Sequence, residues 1–423
     1  MHLSRPARLG LVLLLVAGGC EPATPPDTAT RTDSAGVMLV EYPALPPMEE
    51  SRIRIAAEPE LVLGAGGALS GPDHDFFQIT GVSQLRDGTL VVANQGSSQL
   101  RFYGADGEFV RSVGREGDGP GEFQQLANSW VTAGDTLVVL DRVVRRLQYF
   151  SPEGAFVRTT SIITAPFKAF SLMPPHPQAV VADGRIVVFL ASPWTPTAGL
   201  PERSPLLVAL HRFDGGGWDS VRVVPGEERI IGVNSDGRTQ GTSYQFSAYP
   251  VAAAAGATMV VADNAHLRVE VFDPDGHLTS VISASVPEVP VTADVIENLI
   301  GHMLDWVPAP DPDAYSAMIR RAFLASHAPF LPAIRAVFVD ADERIWVERY
   351  DVPASGPSRW EVFERDGTWI GRVEMPEGLA RGLSDGRTAP GFSIVSGRLA
   401  GVWTDPATGV ETVRVYRVIE TGS

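Results

Sequence analysis

The segment VGREGDGPGEF, residues 113–123, places four glycines among charged residues, a composition that also occurs in phosphate-binding loops. A phosphate loop follows a buried strand and opens a helix, so that free N–H groups and the helix dipole face the anion. Here Gly121 is followed by Glu-Phe-Gln, not by the Lys-Ser or Lys-Thr of a P-loop. Glu116, Asp118 and Glu122 would also repel a phosphate. The segment is therefore predicted to be architectural.

A second segment, GLSDG at residues 382–386, fits the Gly-x-Ser-x-Gly pattern that surrounds a hydrolase nucleophile. That motif needs a strand before it and a helix after it. Arg381 precedes the segment and Arg-Thr-Ala-Pro follows it, which fits neither element. Ser384 is therefore not predicted to be a nucleophile.

Asp73, His74 and Asp75 lie together in GPDHDFF, where three donor groups could bind a cation. A turn held by aspartate side chains explains the same residues without a ligand. The other histidines of the mature chain are not paired at metal-ligand spacing, and the sequence contains no His-Glu-x-x-His. These motifs predict neither a metal nor a cofactor.

The N-terminal sequence MHLSRPARLGLVLLLVAGGC combines basic residues, an apolar run and small residues ahead of a cysteine. The apolar run, residues 9–16, is too short to span a bilayer. The segment resembles a bacterial lipoprotein signal, with Ala17 where that signal more often has leucine. The resemblance implies that residues 1–19 are a signal peptide and that Cys20, the only cysteine, is lipidated.

Residues 20–34 are rich in proline, threonine and aspartate and are predicted to be a flexible tether. Removal of residues 1–19 takes away two of the 34 basic residues and none of the 50 acidic ones, which leaves a net charge of −18. So acidic a chain disfavours nucleic acid and anionic headgroups as partners. We expect an exported lipoprotein, periplasmic or at the cell surface, that contacts the membrane through Cys20 only. The residue after Cys20 is Glu21, not the aspartate that often retains lipoproteins at the inner membrane. This favours the outer membrane.

One pattern of turns and strands recurs along the rest of the chain. Residues 86–114 and 133–161 align without a gap, with glycine-containing turns and apolar residues at period two. Weaker copies follow at residues 182–224, 255–283, 340–375 and 395–420. A further apolar segment precedes each copy, so each unit is predicted to be a four-stranded antiparallel sheet.

A single sheet of this kind cannot bury both of its faces, so the six units are predicted to stack in a ring. The predicted fold is all-β, a six-bladed β-propeller over residues 35–423. A β-sandwich is the alternative, but the regular repeat favours the ring. The last unit ends near Glu420 without its outer strand. Residues 36–42 match the outer strands of other units, so we expect an N-terminal strand to close the last blade beside residues 411–419. Residues 52–64 would then cross to the first blade.

The glycine-rich segment has a second version at residues 64–77, and both versions end in phenylalanine. Glycines permit the positive φ angles of a tight crossing between blades. Phe77 and Phe123 are expected to pack between adjacent blades.

Residues 119–123 and 136–141, a Gly-x-Phe loop and then an apolar strand ending in aspartate, match the pattern of NHL-type repeats. Residues 260–264 repeat the strand part. The chain resembles six-bladed propeller lipoproteins of bacteria with NHL-like repeats. This resemblance implies the fold, and that fold hosts binding modules and enzymes alike.

Residues 290–330 break the repeat between units four and five with apolar residues at helical spacing. Thr292 is the expected N-cap of a first helix, and prolines separate it from a second helix near residues 313–326. The pair could form a lid or a partner surface. Amphipathic helices usually pack onto their own domain, so we expect the apolar stripe to be buried.

The NHL resemblance implies that the polar residue ending the second strand of each blade points to one mouth of the central channel. Those positions and their neighbours are Asn94, Asp141, Arg142, Asp263, Asn264, His266, Glu348 and Arg349. They are predicted to bind a protein, peptide or glycan. The alternative is that each carboxylate accepts hydrogen bonds from backbone N–H groups of the adjoining loop.

The predicted function is a binding or scaffold module at the cell envelope. The alternative is a propeller hydrolase or lyase, lactonase-like, with Ca²⁺ held in the channel by Asn94, Asp141, Asp263 and Asn264. No catalytic motif of such families matches the sequence, so the enzyme is the less favoured hypothesis.

Overall fold

The computed structural model describes residues 29–65, 67, 69–162, 176–192, 201–212, 217–233, 239–243, 245–306, 312–325, 327–350, 357–379, 391–405 and 408–421. The signal segment 1–19, Cys20 and Ser384 lie outside these ranges. Within them, no helix is long and apolar enough to cross a membrane.

The N-terminal segment contains four short strands, β1 (Thr30–Ser34), β2 (Val37–Tyr42), β3 (Ile53–Ile55) and β4 (Leu61–Gly64). Blade one consists of β5 (Ile79–Gln84), β6 (Leu90–Asn94), β7 (Gln99–Tyr103) and β8 (Phe109–Val113). Blade two consists of β9 (Leu126–Val131), β10 (Leu137–Asp141), β11 (Arg146–Phe150) and β12 (Phe156–Ser161). Blade three consists of β13 (His176–Val180), β14 (Ile186–Ala191), β15 (Pro201–His211), β16 (Trp218–Val233) and β17 (Thr239–Ser243).

Blade four consists of β18 (Pro250–Ala255), β19 (Thr258–Asp263), β20 (Arg268–Phe272) and β21 (Leu278–Ala284). Two helices follow, α1 (Ala293–Trp306) and α2 (Pro312–Ala325). Blade five consists of β22 (Ile334–Val339), β23 (Ile345–Arg349), β24 (Arg359–Phe363) and β25 (Trp369–Glu374). Blade six contains β26 (Phe392–Val395), β27 (Arg398–Thr404) and β28 (Glu411–Glu420).

The six-bladed propeller of antiparallel sheets is confirmed, and the strands of each blade run from the centre outwards in chain order. The period-two pattern explains the stacking, because alternate residues of one strand face opposite neighbours. In β6, Val91 and Ala93 pack towards blade two, whereas Leu90 and Val92 pack towards blade six. Each blade is therefore apolar on both faces and stable only between two others.

Six apolar clusters fill the six gaps between consecutive blades. The gap between blades five and six holds the largest side chains, including Trp346, Trp360 and Trp403. The gap between blades six and one contains Leu63 and Val413, both without exposed surface. Burial is thus continuous around the ring, with no gap left open among the described residues.

The ring closes at blade six through an N-terminal strand, as predicted, but the strand is a different one. β4 lies antiparallel to β28, with Leu61 opposite Val415, and supplies the missing outer strand. β3 pairs with the far end of β28, where Ile53 lies opposite Glu420. The expectation that residues 36–42 form this strand is wrong.

β2 instead lies parallel to β21 at the outer edge of blade four, and β1 pairs with β2. The tether prediction therefore extends too far, since residues 30–34 form β1. The Tyr42 hydroxyl donates to the Gly367 carbonyl at 2.9 Å and accepts from the Trp369 N–H at 2.8 Å. These bonds fix the N-terminal hairpin against blade five, so this segment joins blades four, five and six from outside.

The segment 113–123 is architectural, as predicted. Gly114 has φ +98°, and a Cβ atom there would lie 2.8 Å from the Phe123 ring. Phe123 is buried between blades one and two. The matching expectation for Phe77 is wrong, because this side chain is 65% exposed. Phe76 is the partly buried side chain that packs against the cluster between blades six and one, edge-on to Tyr103.

The helical insertion is confirmed between blades four and five. The Val295 N–H donates to the Thr292 hydroxyl at 3.3 Å, which confirms the expected N-cap. The two helices share an apolar cluster formed by Ile296, Ile300, Ile319 and Phe323. Phe246, on the connection into blade four, packs edge-on against Phe323, so the apolar stripe is buried within the domain as expected.

Asp340 is a buried carboxyl in the turn between β22 and β23. It accepts hydrogen bonds from the Trp346 indole and from the N–H groups of Asp342 and Arg344. Burial nevertheless raises the pKa of Asp340 from 3.8 to about 6. Between these values the folded protein keeps a proton that the unfolded chain has released. The contribution of this group to stability therefore falls as the pH rises, by up to about 3 kcal/mol.

We expect the free energy of unfolding of the wild type to fall more steeply from about pH 4 to about pH 7 than that of Asp340→Asn, which cannot ionise. Urea unfolding at both pH values measures the two slopes. Equal slopes for the two proteins would contradict the raised pKa.

Candidate functional site

The predicted site residues lie on one face of the ring, called here the upper face. Because strands within a blade alternate in direction, every second strand ends on this face and every inner strand begins there. The turns after the second strands and the ends of the connections between blades therefore meet on the upper face. The helical insertion is one of these connections, between blades four and five.

Three of the predicted residues hold the connection that enters their own blade. The Phe77 N–H donates to Asn94 Oδ1 at 2.9 Å, and the Tyr249 N–H donates to Asn264 Oδ1 at 2.7 Å. Asp141, which has no exposed surface, accepts the N–H groups of Gln124 and Gln125 at 3.1 Å each. In the structure these oxygen atoms thus accept backbone N–H groups of the adjoining connection, which is the alternative role considered for them.

Side chains of the third strand complete the same device in blades one and two. Arg101 donates to the Asp75 carbonyl at 2.8 Å, and the Tyr103 hydroxyl donates to the Asp73 carbonyl at 2.6 Å. In blade two, Arg146 donates to the Glu122 carbonyl at 2.7 Å. These carbonyl groups belong to the two glycine-rich segments. Arginine side chains of the protein itself, Arg101 and Arg146, therefore bind there.

Asp263, Arg142 and His266 are the more accessible members of the predicted set. Asp263 pairs with Arg203 at 2.6 Å, and both side chains are partly exposed. Arg203 comes from an extension of β15 that the repeat pattern did not reveal as part of the site. Arg142 and His266 are exposed in the turns after the second strands of blades two and four.

The predicted residues of blade five lie among further charges. Glu348 is buried, and its Oε1 lies 3.9 Å from Nε of Arg335. Arg349 donates from Nε to the Ala333 carbonyl at 3.3 Å, and its Nη1 lies 3.9 Å from Glu361. Blade five therefore presents its charges as pairs, with Arg335 nearest the axis on the inner strand β22.

Blade four departs from the repeated device at one atom. Asn264 has no exposed surface, and its Oδ1 is occupied by Tyr249, yet its Nδ2 has no hydrogen-bond partner among the residues that the structure describes. In blade one the equivalent Nδ2 of Asn94 donates to the Ser97 hydroxyl at 2.9 Å. Buried amide groups are normally paired because an unmade bond costs about 1–3 kcal/mol. Asn264 thus carries a donor for which the described protein offers no acceptor.

The inner strands line the channel with small, mostly neutral side chains. The partly exposed members include Gly81, Ser129, Ala252, Ala254, Ala336 and Ser393. The Ser83 and Ser129 hydroxyls lie 3.1 Å apart across blades one and two, and Gln84 Nε2 donates to the Ser393 carbonyl at 3.0 Å. Arg335 is the one Asp, Glu, Lys or Arg among the six inner strands, all of which the structure describes. This lone charge was visible in the sequence IRAVFV, but it lies on a first strand, outside the second-strand ends that were predicted as site residues.

Metal binding finds no support in the described ranges. No three His, Cys, Asp or Glu side chains there are grouped to hold a metal ion. Of the four residues considered for Ca²⁺, Asn94, Asp141 and Asn264 use their oxygen atoms on backbone N–H groups. In GPDHDFF, His74 is buried, and its Nε2 lies 3.1 Å from the Gly107 carbonyl oxygen.

Comparison with known proteins agrees with the architecture. The model of a family described as a 6-bladed beta-propeller, DUF5128, matches residues 73–174, which contain blades one and two. No curated protein matches the sequence.

Several solved structures are similar in overall shape. One is a protein of Bacteroides fragilis NCTC 9343 named as an exported protein, 11% identical, with 89% of this chain and 99% of that chain covered and a TM-score of 0.43. A DUF4221 family member from Bacteroides vulgatus is 10% identical, with coverage of 88% and 100% and a TM-score of 0.48. Virginiamycin B lyase from Staphylococcus aureus is 10% identical, with coverage of 81% and 95% and a TM-score of 0.36.

The unpaired amide leads to a prediction for a matched pair of variants. Asn94→Ala removes two hydrogen bonds, whereas Asn264→Ala removes one bond and relieves an unpaired buried donor. We therefore expect Asn94→Ala to lower the free energy of unfolding by about 1–3 kcal/mol more than Asn264→Ala does. Urea unfolding measures both values, and an equal or larger cost at Asn264 would show that its Nδ2 is paired.

Proposed function

We propose that the protein is an exported, lipid-anchored β-propeller that binds a protein, peptide or glycan at the upper mouth of its channel. The observation that carries this proposal is the accessible polar surface of the upper face, where Arg142 and His266 are exposed and the Asp263–Arg203 pair is partly exposed. Accessible polar residues on turns held by a rigid scaffold are where proteins most often place binding sites. The proposed site comprises the predicted residues around the mouth, with these accessible side chains as the ligand contacts.

The elements added to the propeller support the same location. The extension of blade three approaches the connection into blade four, where the Glu228 N–H donates to the Ala248 carbonyl at 2.8 Å. From the other side, the helical insertion packs on Phe246 of that connection. Tyr249, three residues further along the connection, donates its N–H to Asn264 Oδ1. Both additions therefore fix the position of the turn that carries Asp263, Asn264 and His266.

No contact among the described residues specifically favours an enzymatic role. The oxygen atoms considered for Ca²⁺ are engaged by backbone donors at Asn94, Asp141 and Asn264. Charge reversal of Asp141 would break the connection into blade two and is therefore unsuitable as a test of binding. Exposed positions on the upper face offer a cleaner test.

His266 and His277 form a matched pair for that test, since both are exposed on blade four but at opposite ends of β20. A photo-crosslinking amino acid at position 266 of the full chain should capture a defined species from envelope extracts. The same group at position 277 should not capture it. Capture of the same species at both positions, or of none at position 266, would contradict a ligand at the upper mouth.

The lipid anchor is tested separately. Residues 21–29 separate Cys20 from the hairpin β1–β2, so the anchor would hold the propeller by blade four. We expect Cys20→Ala to move the protein from the salt-washed membrane fraction to the soluble exported fraction, because the remaining chain has no other predicted membrane contact. Mass spectrometry of the wild type should show the acyl chains. Retention of Cys20→Ala in the washed membranes would contradict the anchor.

A further inference from the structure

The N-terminal hairpin fixes the point at which the chain from Cys20 joins the propeller. β21 is the fourth strand of blade four and therefore ends on the upper face. β2 lies parallel to β21, with Tyr42 opposite Ala284. β1 lies antiparallel to β2, with Thr30 opposite Glu41. The chain thus enters β1 at its upper end, at the outer edge of blade four.

The chain between the anchor and this point is short. Residues 21–29 are nine residues, which span at most about 30 Å when fully extended. The five residues of β1 alone cover about 17 Å of the height of the blade. For the lower face to meet the bilayer, the nine residues would have to run back past the whole blade, whereas the upper face requires no such path. The anchor therefore draws the upper face towards the membrane.

Exposed apolar side chains are distributed in the same sense. Phe77, in the connection into blade one, is 65% exposed, and Val143, in the turn after β10, is 60% exposed. Other exposed apolar side chains on upper-face turns and connections are Val144, Val289, Met318, Phe330 and Val410. The remaining ones of the described residues lie on outer strands or between β2 and β3, and none lies in a hairpin turn of the lower face.

The turn after β10 has the composition of a membrane-contacting tip. Residues 142–145 are Arg-Val-Val-Arg, and all four side chains are exposed. Two valines can enter the headgroup region of a bilayer while the arginines on either side reach the lipid phosphates. The hairpin turns of the lower face carry exposed carboxylates instead, which would lose hydration at a membrane surface. These are Asp87, Asp106, Glu153, Asp183, Asp275 and Asp366.

We propose that the upper face lies against the bilayer that holds the anchor, with its exposed apolar side chains in the headgroup region. The inference rests on the lipid anchor of the proposed function and adds a lipid-contacting surface to the single contact expected at Cys20. It places the upper mouth at the membrane surface, so the ligand bound there is a component of that membrane or lies at its surface. Single apolar side chains bind a bilayer far more weakly than acyl chains do, so release of Cys20→Ala is still expected.

Site-directed fluorescence on the mature, lipidated full-length protein tests this orientation. Acylation consumes the thiol of Cys20, the only cysteine, so one introduced cysteine is then the only free thiol. Val143→Cys and Val157→Cys are a matched pair, since both valines belong to blade two and are 60% and 57% exposed. Position 143 lies in the upper turn and position 157 on the outer strand.

Each variant is labelled with nitrobenzoxadiazole and reconstituted into phosphatidylcholine vesicles that contain a lipid with a nitroxide on its headgroup. Phosphatidylcholine has no net charge and does not repel the acidic chain. Emission from position 143 should shift to shorter wavelength and be largely quenched, because the label lies among the headgroups. Emission from position 157 should keep its wavelength and intensity.

A second pair tests the opposite side of the ring. Val410→Cys, in the turn after β27, should behave like position 143. Asp106→Cys, in a lower-face turn of blade one, should behave like position 157. Equal quenching at positions 143 and 157, or the strongest quenching at position 106, would overturn the inference.

Double variants then assign the contact to the apolar side chains. In the labelled Val410→Cys protein, Phe77→Ser with Val143→Ser should reduce the quenching, because apolar contact with the headgroup region is lost. Val110→Ser with Val157→Ser changes exposed valines on the outer strands of the same two blades and should leave the quenching unchanged. Unchanged thermal unfolding verifies the fold of both double variants. Unreduced quenching in the first of them would contradict the contact.

Failure of this inference is distinguishable from failure of the proposed function. If Cys20 is acylated and crosslinking at position 266 captures a ligand, but the label at position 143 is not quenched, the upper face is turned away from the bilayer. The inference is then wrong and the proposed function stands. If Cys20 carries no acyl chain, the proposed anchor and this inference both fail.

Discussion

The pairing of β4 with β28 is the constraint on which the rest of this structure depends. A blade whose two faces are both apolar is stable only between two neighbours, and a row of blades would leave its first and last members uncovered. Leu63 and Val413 meet in the last gap and complete the burial. Once the ring is closed, the six inner strands must surround one axis. A channel, its mouth and the position of Arg335 follow from that closure.

The upper face is built from one repeated device. A polar residue at the end of the second strand accepts the backbone N–H groups of the connection that enters its blade, as Asn94 and Asp141 do. This arrangement makes the connections rigid without a metal or a disulfide. Blade four uses the same device but leaves Asn264 Nδ2 unpaired. In blade one the equivalent amide of Asn94 is paired with Ser97. The side chains that this device leaves accessible on the upper face are the ones for which a binding function is proposed.

Much of the fold could be predicted from sequence because its signals are local. Period-two alternation and glycine turns specify the blades, and helical spacing after Thr292 specifies the insertion. The closing strand could not be assigned in this way, since residues 37–42 and 61–64 are both short apolar runs. Only long-range packing decides which of them reaches β28. The same applies to Phe76 and Phe77, which are adjacent in sequence and differ only in which one faces blade one.

The site was predictable in part. The second-strand ends lie together on the upper face and include Asn264, because they recur at equivalent positions in the repeats. The sequence could not show that Asn94 and Asp141 are engaged by backbone groups while the amide of Asn264 is not, since that depends on side chains of the following turn. Arg203 joins Asp263 from another blade, a contact that no local pattern encodes.

Disulfide mapping of the ring closure tests the account most directly. In a Cys20→Ala background, Val62→Cys with Arg414→Cys places two thiols at directly opposed positions of β4 and β28. The closed ring predicts rapid oxidation of this pair to an intramolecular disulfide in the folded protein, seen by mass spectrometry. Met38→Cys with Arg414→Cys should remain reduced, because β2 lies on blade four. Oxidation of the second pair instead of the first would contradict the closure and, with it, the channel.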